Sequence, residues 1–282
     1  MTHIIACIDG STYSQSVAEL GAWTAKSLNA PLTLLHVLDK SEQETTSELS
    51  GNIGLGSREH LLQELIELDE KRAKVALQHG KALLNDLQEQ LHSSGLHDVT
   101  KLQKHGHLLE TLLDLEAETR VLVVGKSGDL HTNDTLAIGS QLESVVRSIK
   151  AHILVATGQF VQPTSYLLAF DGSEVSQKLV EKALKTPLLA GMACHLIMVE
   201  DANDKAQAFN QAAATLRESG IEVTQATLQG DVHRAILDYQ QQHQLGMIVM
   251  GAYGHSKLRQ FFLGSNTTRL LAESHVPMLL IR

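Results

Sequence analysis

The chain has 282 residues, of which 43% are hydrophobic and 20% are charged, and its formal net charge is −9. This composition is typical of a globular protein long enough for two domains, and it excludes the disordered and fibrous classes. The negative charge argues against nucleic acid or an anionic membrane as the main partner. The start reads as a short apolar strand without a basic leader, and no apolar run reaches membrane-spanning length, so we expect a cytoplasmic protein.

An internal repeat organises the chain. The first apolar run, 4–8, ends in Asp-Gly-Ser, and the same arrangement returns at 166–170 with a second Asp-Gly-Ser. Three more runs return in the same order, pairing 32–37 with 194–199, 121–125 with 247–251, and 152–156 with 277–281. Short apolar runs that alternate with helical patterns predict buried strands.

This alternation predicts an α/β fold: two tandem, doubly wound, Rossmann-like parallel-sheet domains with five strands each. The domains are 1–158 and 163–282, and the short linker at 157–164 favours a packed pair. In the second copy the helical patterns lie roughly at 175–189, 204–219, 232–242 and 265–274. Its fifth strand, near 222–227, is less apolar and predicts a position at an edge of the sheet.

The first copy carries an insertion at about 39–58, rich in Ser, Glu and Thr, which predicts a surface loop. It leads into a long helical pattern at 59–94 with apolar residues at helical spacing. A helix that covers the first sheet is the favoured interpretation, and a partner-binding helix is the alternative.

The sharpest motif follows the fourth strand of the second copy. It consists of Gly251-Ala252-Tyr253-Gly254, nine further residues, and Gly264-Ser265-Asn266 where a helical pattern begins. Glycines let the backbone approach a ligand closely, and a helix amino terminus offers free N–H groups to phosphate. The intervening loop has no acidic residue and carries His255, Lys257 and Arg259. Loop glycines with a serine helix cap are the alternative.

An aspartate ends the first strand of each copy. Asp171 is placed to accept hydrogen bonds from a ribose hydroxyl or an adenine amino group, because the carboxyl ends of parallel strands share one edge. Asp-Gly-Ser also forms an Asx turn without any ligand. We favour the ligand role for Asp171 and the turn alone for Asp9.

In these residues the chain resembles the universal stress protein family in its tandem form, over essentially its whole length apart from 39–58. ATP-binding members of that family carry Gly-x2-Gly-x9-Gly-Ser/Thr after the fourth strand and an aspartate after the first. The resemblance implies that the second copy binds ATP, with Mg²⁺ on the phosphates and no metal ligand from the protein. It implies that the adenine or ribose is bordered by Ala169, Asp171, Val199 and Met250. It implies that the phosphates are lined by Gly251, Gly254, Gly264, Ser265 and Asn266, with His255 in the same loop.

The first copy departs from this pattern. Ten residues, not nine, separate Gly128 from Gly139, and they include Asp129 and Asp134 but no Lys or Arg. Ser140 and Glu143 form a capping box, which would place negative charge where phosphate should bind. We therefore expect a degenerate nucleotide site, formed by Asp9, Gly125, Gly128, Gly139 and Ser140.

Three functions remain open at this stage. The first is a nucleotide-responsive regulator or scaffold with at most slow ATP hydrolysis, for which His255 is the one candidate general base. The second is an adenylating enzyme of related fold, although the Ser- and Gly-rich loop that such enzymes need is missing after the first strand. The third is an interaction protein with vestigial sites and protein partners still to be identified.

Assembly and metal binding give two further expectations. Single-domain members of the family pair their final strands across a dimer, which implies that 152–156 and 277–281 make this contact within one chain. A homodimer of whole chains is a further alternative. His105, His107 and His131 could meet around a structural zinc ion, but solvated loop histidines are the favoured interpretation.

Overall fold

A computed structural model of the chain describes residues 2–38, 55–126, 140–199, 205–252 and 265–282, with the backbone alone for 55–62 and 140. Strands and helices alternate in both copies, as the sequence predicts. The first copy contains β1 (His3–Cys7), α1 (Ser14–Leu28), β2 (Leu32–Leu38), α2 (Leu55–Ser93), β3 (Val99–His105), α3 (Leu108–Asp114), β4 (Thr119–Gly125), α4 (Ser140–Ser148) and β5 (His152–Ala156).

The second copy repeats this order. It contains β6 (Ser165–Ala169), α5 (Glu174–Lys185), β7 (Ala193–Val199), α6 (Ala206–Glu218), β8 (Val223–Leu228), α7 (Val232–Gln242), β9 (Ile248–Gly251), α8 (Ser265–Glu273) and β10 (Met278–Ile281). The predicted helix at 175–189 is divided, because Pro187 starts a separate 3₁₀ turn, Pro187–Leu189, after α5 ends.

The long helix α2 begins at Leu55, so the end of the predicted surface loop at 55–58 is helical. The rest of that predicted loop, 39–54, lies outside the described residues. Leu84, Leu87 and Leu91 of α2 are buried against the first sheet, which confirms the covering role, while the amino-terminal half leaves several side chains exposed. In the described ranges, no helix combines the length and apolar character needed to cross a membrane.

The ten strands form one continuous sheet in the order β3-β2-β1-β4-β5-β10-β9-β6-β7-β8. Neighbours are parallel within each copy, and among the strands of the described ranges only β5 and β10 pair antiparallel, with Leu279 opposite Leu154. This pairing confirms the predicted contact between 152–156 and 277–281. The edge position predicted for the less apolar strand near 222–227 is also confirmed, because β8 ends the sheet.

Each face of the sheet carries one apolar core that runs through both copies. Buried residues of α1, α2, α5 and α6 share one core, and those of α3, α4, α7 and α8 share the other. On the first face α1 contacts the 3₁₀ turn of the second copy, and the Trp23 ring lies 6.2 Å from that of Phe160 in the linker. These contacts confirm the packed pair that the short linker predicts.

Removing a side chain at the junction should destabilise both copies together. Leu279 is 1% exposed, and Leu279→Ala should lower the free energy of unfolding by about 2 to 5 kcal/mol. In denaturant, Trp23 fluorescence and far-UV circular dichroism should report a single transition. Leu68→Ala, at a side chain 44% exposed, is the matched control and should change stability by less than about 0.5 kcal/mol. Two separate midpoints would contradict the shared cores.

A histidine occupies one end of the junction. The backbone N–H of Arg282 donates a hydrogen bond to His152 Nδ1 at 3.1 Å, which requires that nitrogen to be unprotonated. Burial lowers the pKa of His152, and the positive charges of Lys182, Arg120 and Arg282 lower it further. The folded chain therefore holds this imidazole in its neutral form.

Acid should weaken the junction. As the pH falls below the ordinary histidine value of about 6.5, His152 binds a proton in the unfolded chain before it does so in the folded one. The free energy of unfolding therefore falls as the pH falls towards the lowered pKa of the folded state, and below that pKa this contribution stays lost. His152→Asn keeps a neutral acceptor for Arg282 but cannot bind a proton. Denaturant unfolding at about pH 8 and about pH 5 should therefore show a larger drop in the free energy of unfolding for the wild type than for this variant. Equal losses would show that His152 does not contribute.

Candidate functional site

Three neighbouring strands of the second copy end at one edge of the sheet. β9, β6 and β7 are adjacent and parallel, so their carboxyl ends lie side by side. Met250, Ala169 and Val199 near these ends are half-buried, whereas most residues in the strand interiors are buried. The structure thus brings together three of the predicted nucleobase or ribose contacts as a partly accessible apolar surface. Gly251, also half-buried, ends β9 beside them.

The Asp171 turn lies directly after β6. Asp171 is exposed, and its Oδ1 accepts a hydrogen bond from the backbone N–H of Ser173 at 3.1 Å. Gly172 has φ +75°, a left-handed conformation that favours glycine. Ser173 then caps α5 by accepting a hydrogen bond from the Ser176 backbone N–H at 3.0 Å. This Asx turn holds the carboxylate at the edge where the strands end.

Asp9 forms the same turn in the first copy, so the turn by itself does not separate the two sites. Its Oδ1 accepts from the Ser11 backbone N–H at 3.0 Å. The same oxygen also accepts from the Ser14 hydroxyl at 3.1 Å. One oxygen of Asp9 therefore serves two donors within its own turn, which agrees with the capping role predicted for it.

Lys205 lies beside the Asp171 turn, and the sequence reasoning missed it. A Cβ added to Gly172 would lie 2.5 Å from Lys205 Cδ and 2.8 Å from its Cβ and Cγ, so the lysine chain crosses directly over this glycine. Lys205 immediately precedes α6, which follows β7. That position, just before the helix that follows a neighbouring strand, was the available signal. It brings a positive charge to the same edge of the sheet.

The amino termini of α8 and α4 differ in charge. α8 begins at Ser265, which is exposed, continues with half-buried Asn266, and has no acidic residue in its first turn. The first turn of α4 contains Glu143, whose Oε1 accepts a hydrogen bond from Arg147 Nη2 at 2.8 Å. Because a helix amino terminus attracts anions through its N–H groups and dipole, α8 is the better phosphate-binding end.

The start of the first copy's loop faces the other copy. Gly125 is half-buried at the end of β4, and Lys126 after it is 5% exposed. Burial lowers the pKa of Lys126, and the negative charge of Glu273 at the end of α8 acts in the opposite direction. The corresponding residue of the second copy is Ala252, so this buried cation belongs to the first copy alone.

Several predicted residues lie outside the described part of the chain. These are Gly254, His255 and Gly264 in the second copy, and Gly128 and Gly139 in the first. His131 of the zinc hypothesis is also among them. Within the described ranges no group of three or more His, Cys, Asp or Glu side chains could hold a metal ion.

Comparison with known proteins identifies the family. A profile of the universal stress protein family matches residues 1–157 and 195–282. The universal stress protein Slr1230 of Synechocystis sp. is 33% identical over 287 residues, and the alignment covers 100% of both chains. The chain belongs to the universal stress protein family.

Solved structures share the fold of the whole chain. A universal stress protein from Archaeoglobus fulgidus DSM 4304 aligns with a TM-score of 0.72 at 19% identity, covering 99% of this chain and 98% of that one. A putative universal stress protein from Pseudomonas aeruginosa UCBPP-PA14 aligns with a TM-score of 0.68 at 15% identity, covering 100% and 93%. The tandem arrangement is therefore shared along nearly the full length of these proteins.

Alanine at the two turn glycines should have unequal effects. Gly10 has φ +84°, and an added Cβ would meet only ordinary contacts at 3.9 Å, so Gly10→Ala should cost about 1 to 2 kcal/mol of stability through its left-handed backbone alone. Gly172→Ala has the same backbone cost and also meets Lys205 Cβ, which rotation of the lysine side chain cannot move away. Overpacking should add about 1 to 3 kcal/mol, measured by denaturant unfolding. Equal costs would contradict the close approach of Lys205.

Proposed function

We propose that the second copy binds ATP, with Mg²⁺ on its phosphates, and that the protein is a nucleotide-responsive regulator or scaffold of a stress response. One observation carries the proposal. The accessible apolar strand ends at Ala169, Val199 and Met250 lie at the carboxyl edge of the same parallel sheet where α8 begins without an acidic residue. A nucleotide needs both surfaces, an apolar one for its base and a donor-rich one for its phosphates.

Each part of the site has a distinct role in this proposal. The apolar strand ends pack against the base, and Asp171 accepts a hydrogen bond from a ribose hydroxyl. The N–H groups at Ser265 and Asn266 donate to phosphate, and Gly251, Gly254 and Gly264 allow the backbone to approach it. Lys205 adds a positive charge at this edge. A magnesium ion on the phosphates would neutralise part of their charge without a ligand from the protein.

The first copy serves as scaffold in this proposal. Glu143 adds negative charge to the first turn of α4, where phosphate would bind. Lys126, the cation nearest the start of its loop, is buried toward the second copy. Asp9 is engaged by two donors of its own turn.

α8 offers a physical route from the nucleotide to the junction. Its amino terminus would bind phosphate, and Glu273 at its other end interacts electrostatically with Lys126 of the first copy. Glu273 Oε1 also lies 3.6 Å from Nε2 of buried His233 on α7. A ligand that favours one position of α8 would therefore favour one packing of the two copies. Regulation through packing needs only binding, so at most slow hydrolysis is expected.

The first experiment is calorimetry with Mg-ATP on the wild type and on matched variants of the two copies. Gly264→Val with Ser265→Ala should abolish binding, while Gly139→Val with Ser140→Ala should leave a single site unchanged. Thr268→Glu gives α8 a first-turn carboxylate without the arginine that pairs with Glu143, since Ala272 stands in the place of Arg147, and it should weaken binding by about tenfold or more. At about 100 times its dissociation constant, Mg-ATP should raise the free energy of unfolding by about 2.7 kcal/mol in the wild type.

Other results would change the assignment. Two sites in the wild type, one of which survives in the Gly264→Val, Ser265→Ala variant, would mean that the first copy also binds nucleotide. No binding at millimolar ATP would contradict the proposal and favour the interaction protein. Rapid multiple turnover with an added metabolite would favour the adenylating enzyme.

A further inference from the structure

A cavity lies in the first copy, and strands β4, β5 and β10 separate it from the candidate nucleotide site along the sheet. It is at the amino ends of β1, β2 and β3 in the first copy and has a volume of about 270 Å³. His3, Thr33 and Thr100 line it with polar groups, Ile5, Leu102 and Leu115 supply apolar surface, and Glu118 lies at its exposed rim. A mostly apolar hollow with a few convergent polar groups is a common form of small-molecule site.

The cavity exists because α3 is short. Buried Leu112 of α3 corresponds to buried Ile236 of α7, so Leu115 corresponds to Tyr239. α3 ends at Asp114, one residue before Leu115, whereas α7 continues past Tyr239 to Gln242. In the first copy a 3₁₀ turn, Glu116–Glu118, replaces the last α-helical turn that covers this place in the second, and Leu115 and Glu118 line the cavity there.

The second copy fills the corresponding place with its own rings. His195 pairs with Leu167 in the register where Thr33 pairs with Ile5, so His195 stands where the first copy has Thr33. The Tyr239 hydroxyl lies 3.0 Å from His195 Nδ1, and the Tyr239 ring is 8% exposed and stacks on His243 with centroids 4.1 Å apart. A phenol ring with a hydrogen-bonded hydroxyl thus suits this part of the fold.

The first copy keeps hydrogen-bonding groups at this place but not the ring. His3 Nδ1 lies 3.3 Å from Thr33 Oγ1, which lies 2.9 Å from Thr100 Oγ1. A hydroxyl chain of this kind can both donate to and accept from a ligand hydroxyl. Lys101, whose ammonium donates to Asn85 Oδ1 at 2.6 Å, and Glu118 give the lining one charge of each sign, and an anion in the apolar hollow would lose its hydration.

We propose that this cavity binds a small neutral aromatic ring that carries one hydroxyl group. The ring takes the place that Tyr239 fills in the second copy, and its hydroxyl bonds to the His3, Thr33 and Thr100 chain. The site is independent of the nucleotide proposal, because it lies in the other copy and uses none of the same residues.

Binding is tested with phenol and 4-methylphenol on the full chain, by calorimetry and by protein chemical shifts in NMR. We expect a dissociation constant on the order of 1 mM for a ligand of this size in a half-open cavity. Toluene lacks the hydroxyl and benzoate is an anion, so both should bind more weakly. Thr33→Val keeps the shape and removes a hydroxyl, and it should weaken phenol about 5- to 10-fold while leaving toluene unchanged.

Two more variants test the comparison between the copies: one fills the cavity of the first copy, and the other opens the corresponding place in the second. Thr33→His with Leu115→Tyr gives the first copy the rings of the second and should abolish phenol binding. Tyr239→Ala empties the second copy and should raise the stoichiometry from one to two. The proposal is overturned if the wild type binds no phenol at ten times the expected constant, or if toluene binds as well as phenol. It is also overturned if Thr33→Val binds phenol like the wild type.

Discussion

The antiparallel pairing of β5 with β10 is the contact on which the rest of the architecture depends. Each copy alone would expose one of these buried strands as an unpaired edge, with its backbone N–H and C=O groups unsatisfied. Pairing them satisfies both edges at once and extends each apolar core across the junction. The strands left at the outer edges, β3 and β8, are the more polar ones. The chain is thus one folding body built from two similar halves.

Within this shared framework the copies differ where chemistry is expected. The carboxyl edge of the second copy combines accessible apolar strand ends with an acid-free helix terminus, and the corresponding helix of the first copy starts with Glu143. At the amino ends of the strands in each copy the relation is reversed: the second copy is closed by Tyr239, and the first is open. Since the backbone is repeated, these differences come from a few side chains and from the length of one helix.

How much the sequence predicts depends on how local the signal is. The strands, their order along the chain and the edge position of β8 follow from the repeat and from apolar patterning, and the pairing of β5 with β10 follows from the family resemblance. The position of Lys205 before α6 placed it near this edge, but its contact with Gly172 and that of Lys126 with Glu273 could not be predicted in this way, because each joins residues distant in sequence through the packing of whole elements. The cavity was missed for a related reason, since it results from where α3 ends, and helix ends are weakly encoded.

Fusion of the two halves has a genetic consequence. In a dimer of identical chains every substitution appears twice. A change at one copy of a site therefore always occurs at the other copy as well. In this chain the halves are encoded separately, and each position can vary without its counterpart. The first copy has Glu143 where the second has Thr268, and it has Leu115 where the second has Tyr239. Such differences between equivalent positions cannot occur in a symmetric dimer of identical chains. Covalent linkage is therefore what permits division of labour between two otherwise equivalent domains.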